Sequence, residues 1–180
     1  MDLNNIPYVQ CRWYKQVENR QIHKLVIHSM EAPEKGDTAE AVAHYFATLD
    51  RPASAHYCVD DNSIVQTCQC AWVAYGAPGA NHDGVHIELA GYARQTAEEW
   101  ADPFSLAMLK LAAELCAKIL VPRFEVPVLY LSAPMMAAKP DARGFTMHRD
   151  VSAAFHKSTH TDPGPAFPIA DFLALVRASR

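Results

Sequence analysis

The stretch IHKLVIHS, residues 22–29, is short, rich in branched apolar side chains and free of turn residues. That pattern describes a strand buried in a core; a helix needs a longer run at a different period. A buried strand constrains the rest of the chain, because other layers must cover it. Asp37, with Glu40 three residues later, resembles a capping box, and the helix it opens carries Val42, Tyr45, Phe46 and Leu49 on one stripe. Asp102-Pro103 reads as the N-cap and first residue of a long apolar-striped helix ending near Leu120. A last helix starts near Pro168 and turns Phe172, Leu173 and Val176 inward.

Further strands complete the pattern. SAHYCVD (54–60) and SIVQTCQ (63–69), joined by Asp61-Asn62, form a predicted β-hairpin, and VHIELAGY (85–92) and VPVLYLS (126–132) are further strands. AYGAPGANHDG (74–84) is a loop by its Gly, Pro and Asn content. Strands and helices mix without repeats, low complexity or a linker. One domain over residues 1–180 is expected, with its core at about 22–176 and helices packed on a central sheet, in the α/β or α+β class.

At 180 residues the chain can bury a core without disulfides. Its five cysteines are odd in number, and Cys68-Gln69-Cys70 lacks the CxxC spacing of a zinc knuckle, so reduced, buried thiols are expected. A formal charge of −4 argues against a nucleic-acid partner, which calls for a basic face. No window approaches the roughly 18 apolar residues of a membrane span. MDLNNIPYVQCRWYK has no basic segment followed by an apolar core, so no signal peptide is visible and synthesis in the cytoplasm is expected.

The chemistry concentrates in MHRDVSAAFHKSTHTDPG, residues 147–164, with three histidines and two aspartates ahead of a turn. Catalytic zinc takes three ligands from His, Asp, Glu or Cys and leaves a fourth position to water. Strand ends and loops suit such ligands, being rigid yet accessible. His28 ends a buried strand, His148 follows GFTM at a candidate strand end and precedes a short helical turn, and Pro163-Gly164 makes the backbone at Asp162 rigid. Singly, each is also readable as an ordinary core histidine, surface polar group or helix cap. Their number points to a metal.

IHSM (27–30), SAHYCVDDNSIVQ (54–66), PGANHDGVHIELAGYA (78–93) and HTDPGPAFP (160–168) resemble the type-2 N-acetylmuramoyl-L-alanine amidases. That family includes phage endolysins, cell-wall recycling amidases and the peptidoglycan recognition proteins. The resemblance runs from about Ile22 to Phe172 with the motifs in the family's order, and ASAHYCVD, ANHDG and AGYARQTAEEWADP are most similar to phage endolysin amidase domains. It implies an α/β fold with a central mixed β-sheet flanked by helices. It also implies zinc held by His28, His148 and Asp162. The interval between the second and third ligands is longer than in many members, which leaves His156 as an alternative to His148.

By the same resemblance Glu88 is the catalytic carboxylate, taking a proton from water as the amide is attacked. His160 stands where many members carry a lysine that stabilises the tetrahedral intermediate, a task a histidine can share. Asn81-His82-Asp83 resembles the loop lining the substrate groove, although a turn that only satisfies backbone groups fits equally. His86 shares a strand face with Glu88 where many relatives have glycine, and is expected in the pocket wall as a substrate contact. A tyrosine some relatives carry before the hairpin histidine is replaced by Ala55, ahead of His56, and Tyr57 is given no catalytic role.

These features imply a zinc amidase acting on bacterial peptidoglycan as a monomer, most consistent with a phage or prophage lytic enzyme that reaches the wall at lysis. Three rivals stand beside it: a non-catalytic peptidoglycan-binding module of the same fold, a zinc peptidase of the stem peptide, and a metal-free interaction protein. The first usually loses a zinc ligand, and the second finds no HExxH motif here.

Overall fold

The computed structural model describes residues 2–180. In chain order its elements are β1 (Tyr14–Lys15), β2 (Lys24–Ser29), α1 (Thr38–Thr48), β3 (Tyr57–Val59), β4 (Ile64–Gln66), β5 (Val73–Ala74) and β6 (Gly84–Leu89). There follow α2 (Pro103–Leu115), a π turn (Cys116–Leu120), α3 (Val121–Phe124), α4 (Ala133–Ala138), β7 (Gly144–Met147), α5 (His148–Phe155) and α6 (Ile169–Ala178). Five strands form one mixed sheet in the order β4-β3-β6-β2-β7. Strands β3, β6, β2 and β7 run parallel and β4 closes the edge antiparallel, the β3–β4 pair being the expected hairpin.

Alternation along the parallel strands sorts the sheet into two faces. Leu25, Ile27, Val85, Ile87, Leu89, Phe145 and Met147 join the large core built with α2, the π turn and α6. The opposite face takes Val26, which packs with Leu131, Met136 and Val151. His28, His86 and Glu88 belong to that second face by the same two-residue period, so the polar side chains gather away from the main core.

Three expectations change on contact with the structure. VPVLYLS is not a strand but runs beside one, bridging only through Tyr130 to Phe145. The edge strand is GFTM, all four residues buried, leading straight into α5. Asp37 makes no cap bond. Instead Asp60, fully buried at the hairpin, accepts from Ala39 N at 3.0 Å, and its other oxygen accepts from the Asn62 and Ser63 amides. Tyr45 is exposed on α1 rather than part of its buried stripe.

The other helix signals match. Asp102 accepts from Ser105 N at 2.8 Å with Pro103 beside it, as an N-cap should. The π turn ends two residues before Pro122, whose missing N–H cannot continue the α-helical ladder. All five cysteines are free and buried. Among the described residues no helix is long and apolar enough to cross a membrane.

Candidate metal and catalytic site

Parallel strands deliver their C-terminal ends to one edge of the sheet, and loops beyond that edge can converge on a ligand. His28 is the penultimate residue of β2 and pairs in register with Glu88 of β6. Strand β7, paired with β2 up to Ile27 and Met147, hands over to α5 at His148. Asp162 comes from the loop after α5. That loop is tied down by Arg149 N donating to Asp162 O at 2.9 Å and by a turn closing from Gly164 N to Thr161 O. Gly164 (φ +93°) lies so close to Ala93 that a Cβ would fall 1.9 Å from the Ala93 carbonyl oxygen.

The three side chains meet on the Asp162 carboxylate. His28 Nδ1 lies 3.0 Å from its Oδ2 and His148 Nδ1 lies 3.1 Å from its Oδ1. All three residues are buried, and one ligand atom from each falls within 4.8 Å of the others. Burial opposes ionisation of Asp162, but hydrogen bonds from His148 and His28 outweigh it and hold the carboxyl far below its usual range. Burial lowers His148 despite the same carboxylate. Two imidazoles and one carboxylate, mutually close and shielded, form a donor set suited to zinc. His156 is exposed at the C-terminal end of α5 in a left-handed conformation (φ +54°) and is not part of this cluster.

Glu88 faces the same cavity. Its Oε2 is enclosed without a hydrogen-bond partner. Burial pushes its carboxyl well above the usual range, and the negative charges of Asp162 and Glu31 add to the shift. His160 stacks on His148 at 4.4 Å between centroids, with Nδ1 3.4 Å from Asp162 Oδ1, and its side chain is 62% exposed. A groove of about 300 Å³ runs past His28, Glu88, His148, His160 and Asp162.

Two expectations about substrate contact are corrected. Asn81 and His82 sit before β6, at the opposite end of that strand from Glu88, and do not line the groove. Asn81 Oδ1 accepts from Ala77 N at 2.7 Å, while the carbonyls of Asn81 and His82 accept from Arg20. This is the turn that satisfies backbone groups. His86 is fully buried, with Nδ1 3.1 Å from His28 Nε2, so it stands behind the ligand cluster rather than in the groove wall. Burial drives His86 well below the usual histidine range, with His28 and His56 adding to the shift, so its ring is neutral.

Some site residues carried no usable signal in the sequence. Glu31 lines the groove in a left-handed conformation (φ +53°), accepting from Ser29 Oγ at 2.8 Å and Ala93 N at 2.7 Å. Tyr45 and Tyr75 add aromatic surface, and Arg51 adds a cation. Ser158 lies 3.4 Å from His148 Nε2. Only the helical position of Tyr45 pointed anywhere, and it pointed to the core.

Known proteins give this chain a family and a fold. A family model described as N-acetylmuramoyl-L-alanine amidase (Amidase_2) matches residues 18–165. The fold is similar to that of the Staphylococcus aureus hydrolase AmiA in complex with its ligand (TM-score 0.69, 14% identity, 98% of this chain and 84% of that one). It is also similar to a mutant endolysin from Bacillus subtilis (TM-score 0.64, 17% identity, 96% and 98% covered). A derivative of AmpD gives a TM-score of 0.65 at 22% identity, with 95% and 94% covered. A search of curated protein sequences finds no match.

Proposed function

Because the chain belongs to the N-acetylmuramoyl-L-alanine amidase family, we propose that it hydrolyses the amide joining the lactyl group of N-acetylmuramic acid to L-alanine of the stem peptide, with zinc held by His28, His148 and Asp162. The observation that carries the reading is the convergence of that buried His-His-Asp cluster with an unpartnered glutamate at one sheet edge. When bound, zinc supplies a Lewis acid that polarises the amide carbonyl and makes water easier to deprotonate.

The protein's own groups do the rest. Glu88, in a cavity that disfavours its charge, takes the proton from the attacking water at Oε2 and returns it to the departing L-alanine nitrogen. His160, exposed beside Asp162, donates a hydrogen bond to the carbonyl oxygen as negative charge develops there. Asp162, anchored through Arg149 and the tight approach of Gly164 to Ala93, keeps both imidazoles turned toward one point. The groove beside Tyr45 and Tyr75 gives an elongated muropeptide apolar surface to lie against.

The chain acts as a single catalytic domain over residues 1–180, as a phage or prophage lytic enzyme. Supporting this are the resemblance of ANHDG and AGYARQTAEEWADP to endolysin domains and a fold shared with an endolysin from Bacillus subtilis. A purely binding module of this fold has no use for a complete ligand set beside a catalytic glutamate. The test is clearance of a purified peptidoglycan suspension by protein stripped with a chelator and then reloaded. Activity lost on stripping and restored by zinc but not magnesium is expected. Equal clearance by the stripped protein would refute the zinc reading.

A further inference from the structure

We infer that His86 is a positioning residue for the metal site, accepting a hydrogen bond from His28 Nε2–H when a metal is bound and so holding the tautomer and ring orientation in which His28 Nδ1 ligates. The inference rests on the zinc reading above. A neutral imidazole carries one proton. The nitrogen of His28 that faces Asp162 is Nδ1, so ligation requires the proton to reside on Nε2. Nε2 is buried, and without an acceptor its N–H would be stranded away from water. His86 Nδ1, 3.1 Å away, is that acceptor.

The surroundings of His86 are shaped for its ring. A Cβ on Gly76 would fall 2.6 Å from His86 Cγ and 2.7 Å from its Nδ1. Gly76 is not among the glycines in left-handed conformations, so its backbone does not demand glycine. The missing side chain is space for the imidazole. On the other side His56 stacks at 5.6 Å and 16°, and its Nδ1 accepts from the His86 backbone N–H at 3.0 Å. Packing alone does not account for a histidine here. His86 Nε2 is buried with no partner, a cost that an apolar side chain of similar size avoids. The polar atom in use is Nδ1.

The proton bookkeeping is neutral for the pair. Without metal, His28 Nδ1–H donates to Asp162 and His28 Nε2 accepts from His86 Nδ1–H. On ligation both rings exchange to the Nε2–H form, with two protons held before and after, and the unpaired N–H falls on His86 Nε2, one ring away from the ligand. The exchange lets His28 serve Asp162 in one state and a metal in the other.

The test compares zinc affinity, by chelator competition, in the wild type, His86→Phe and His86→Asn. Phe fills the space without an acceptor, while Asn places a carbonyl oxygen near the Nδ1 position. His86→Phe should bind zinc roughly 10–100-fold more weakly, the usual range for losing such a partner, with His86→Asn recovering most of it. In the wild type, imidazole 15N spectra should show His28 and His86 as Nε2–H tautomers with zinc and Nδ1–H tautomers without it. That readout stands even where His86→Phe does not fold. Wild-type affinity in a folded His86→Phe protein, or zinc-loaded His28 lacking a proton on Nε2, overturns the inference and leaves the zinc reading intact. A wild type that takes up no zinc overturns both.

Discussion

Asp162 accepts from both His28 and His148 through their Nδ1 atoms, so each member of the cluster orients the other two. Asp162→Ala should therefore abolish stoichiometric zinc uptake, since two remaining ligands hold the ion poorly, while His156→Ala should retain it; metal analysis after gel filtration reads both. Glu88→Gln should keep zinc and fold but lose roughly two to four orders of magnitude in turnover, the scale of removing a general base. Near-normal rates in that variant would move the base elsewhere. The residues of the cluster and Glu88 were legible through the family resemblance of the short motifs that carry them, since strand ends and a Pro-Gly turn alone left each open to an ordinary reading. Glu31 and the role of His86 were not. A left-handed glutamate and a buried imidazole pair depend on segments distant in sequence, and neither leaves a periodic or compositional trace.

Helix α1 shows the same limit at the scale of an element. Its start was placed correctly, but the residue satisfying its first turn is Asp60, 21 residues beyond Ala39. Local spacing favoured Asp37, while the fold brings a buried hairpin carboxylate to the helix end. Asp60→Ala strips acceptors from Ala39, Asn62 and Ser63 at once. It should cost roughly 1–3 kcal/mol or more, seen as a lower urea midpoint, whereas Asp37→Ala should cost almost nothing. Strand β7 was marked only by its end, just ahead of His148, for a related reason. Four buried residues are too few to show a period, and the longer run VPVLYLS nearby looks more strand-like while lying outside the sheet. Strand β2 and the α2 N-terminus, with a strong apolar run and an Asp-Pro cap, were readable directly.

For the whole molecule, the buried histidines make stability depend on pH. Burial and then the charge of Arg20 lower His56 to about 3, and His86 moves the same way. Both groups bind a proton in the unfolded chain near pH 6.5 that the fold refuses, so metal-free protein should lose stability as pH falls from about 6.5 toward 3. Each contributes up to about 1.4 kcal/mol per pH unit within its window. Glu88 works in the opposite direction, because its raised carboxyl takes up a proton in the folded state first. Glu88→Gln should therefore steepen the acid loss, a difference that urea midpoints between pH 7 and pH 5 would reveal. A flat profile in both proteins would mean that these histidines are solvated.

The central claim is that this sheet edge cleaves the bond between the glycan and the stem peptide. Purified peptidoglycan digested with zinc-loaded wild type and with Glu88→Gln, followed by identification of the new termini, tests it most directly. The wild type should release free L-alanine amino groups without new reducing sugar ends, and Glu88→Gln should release almost none. New reducing ends, amino termini other than L-alanine, or equal release by the two proteins would contradict it.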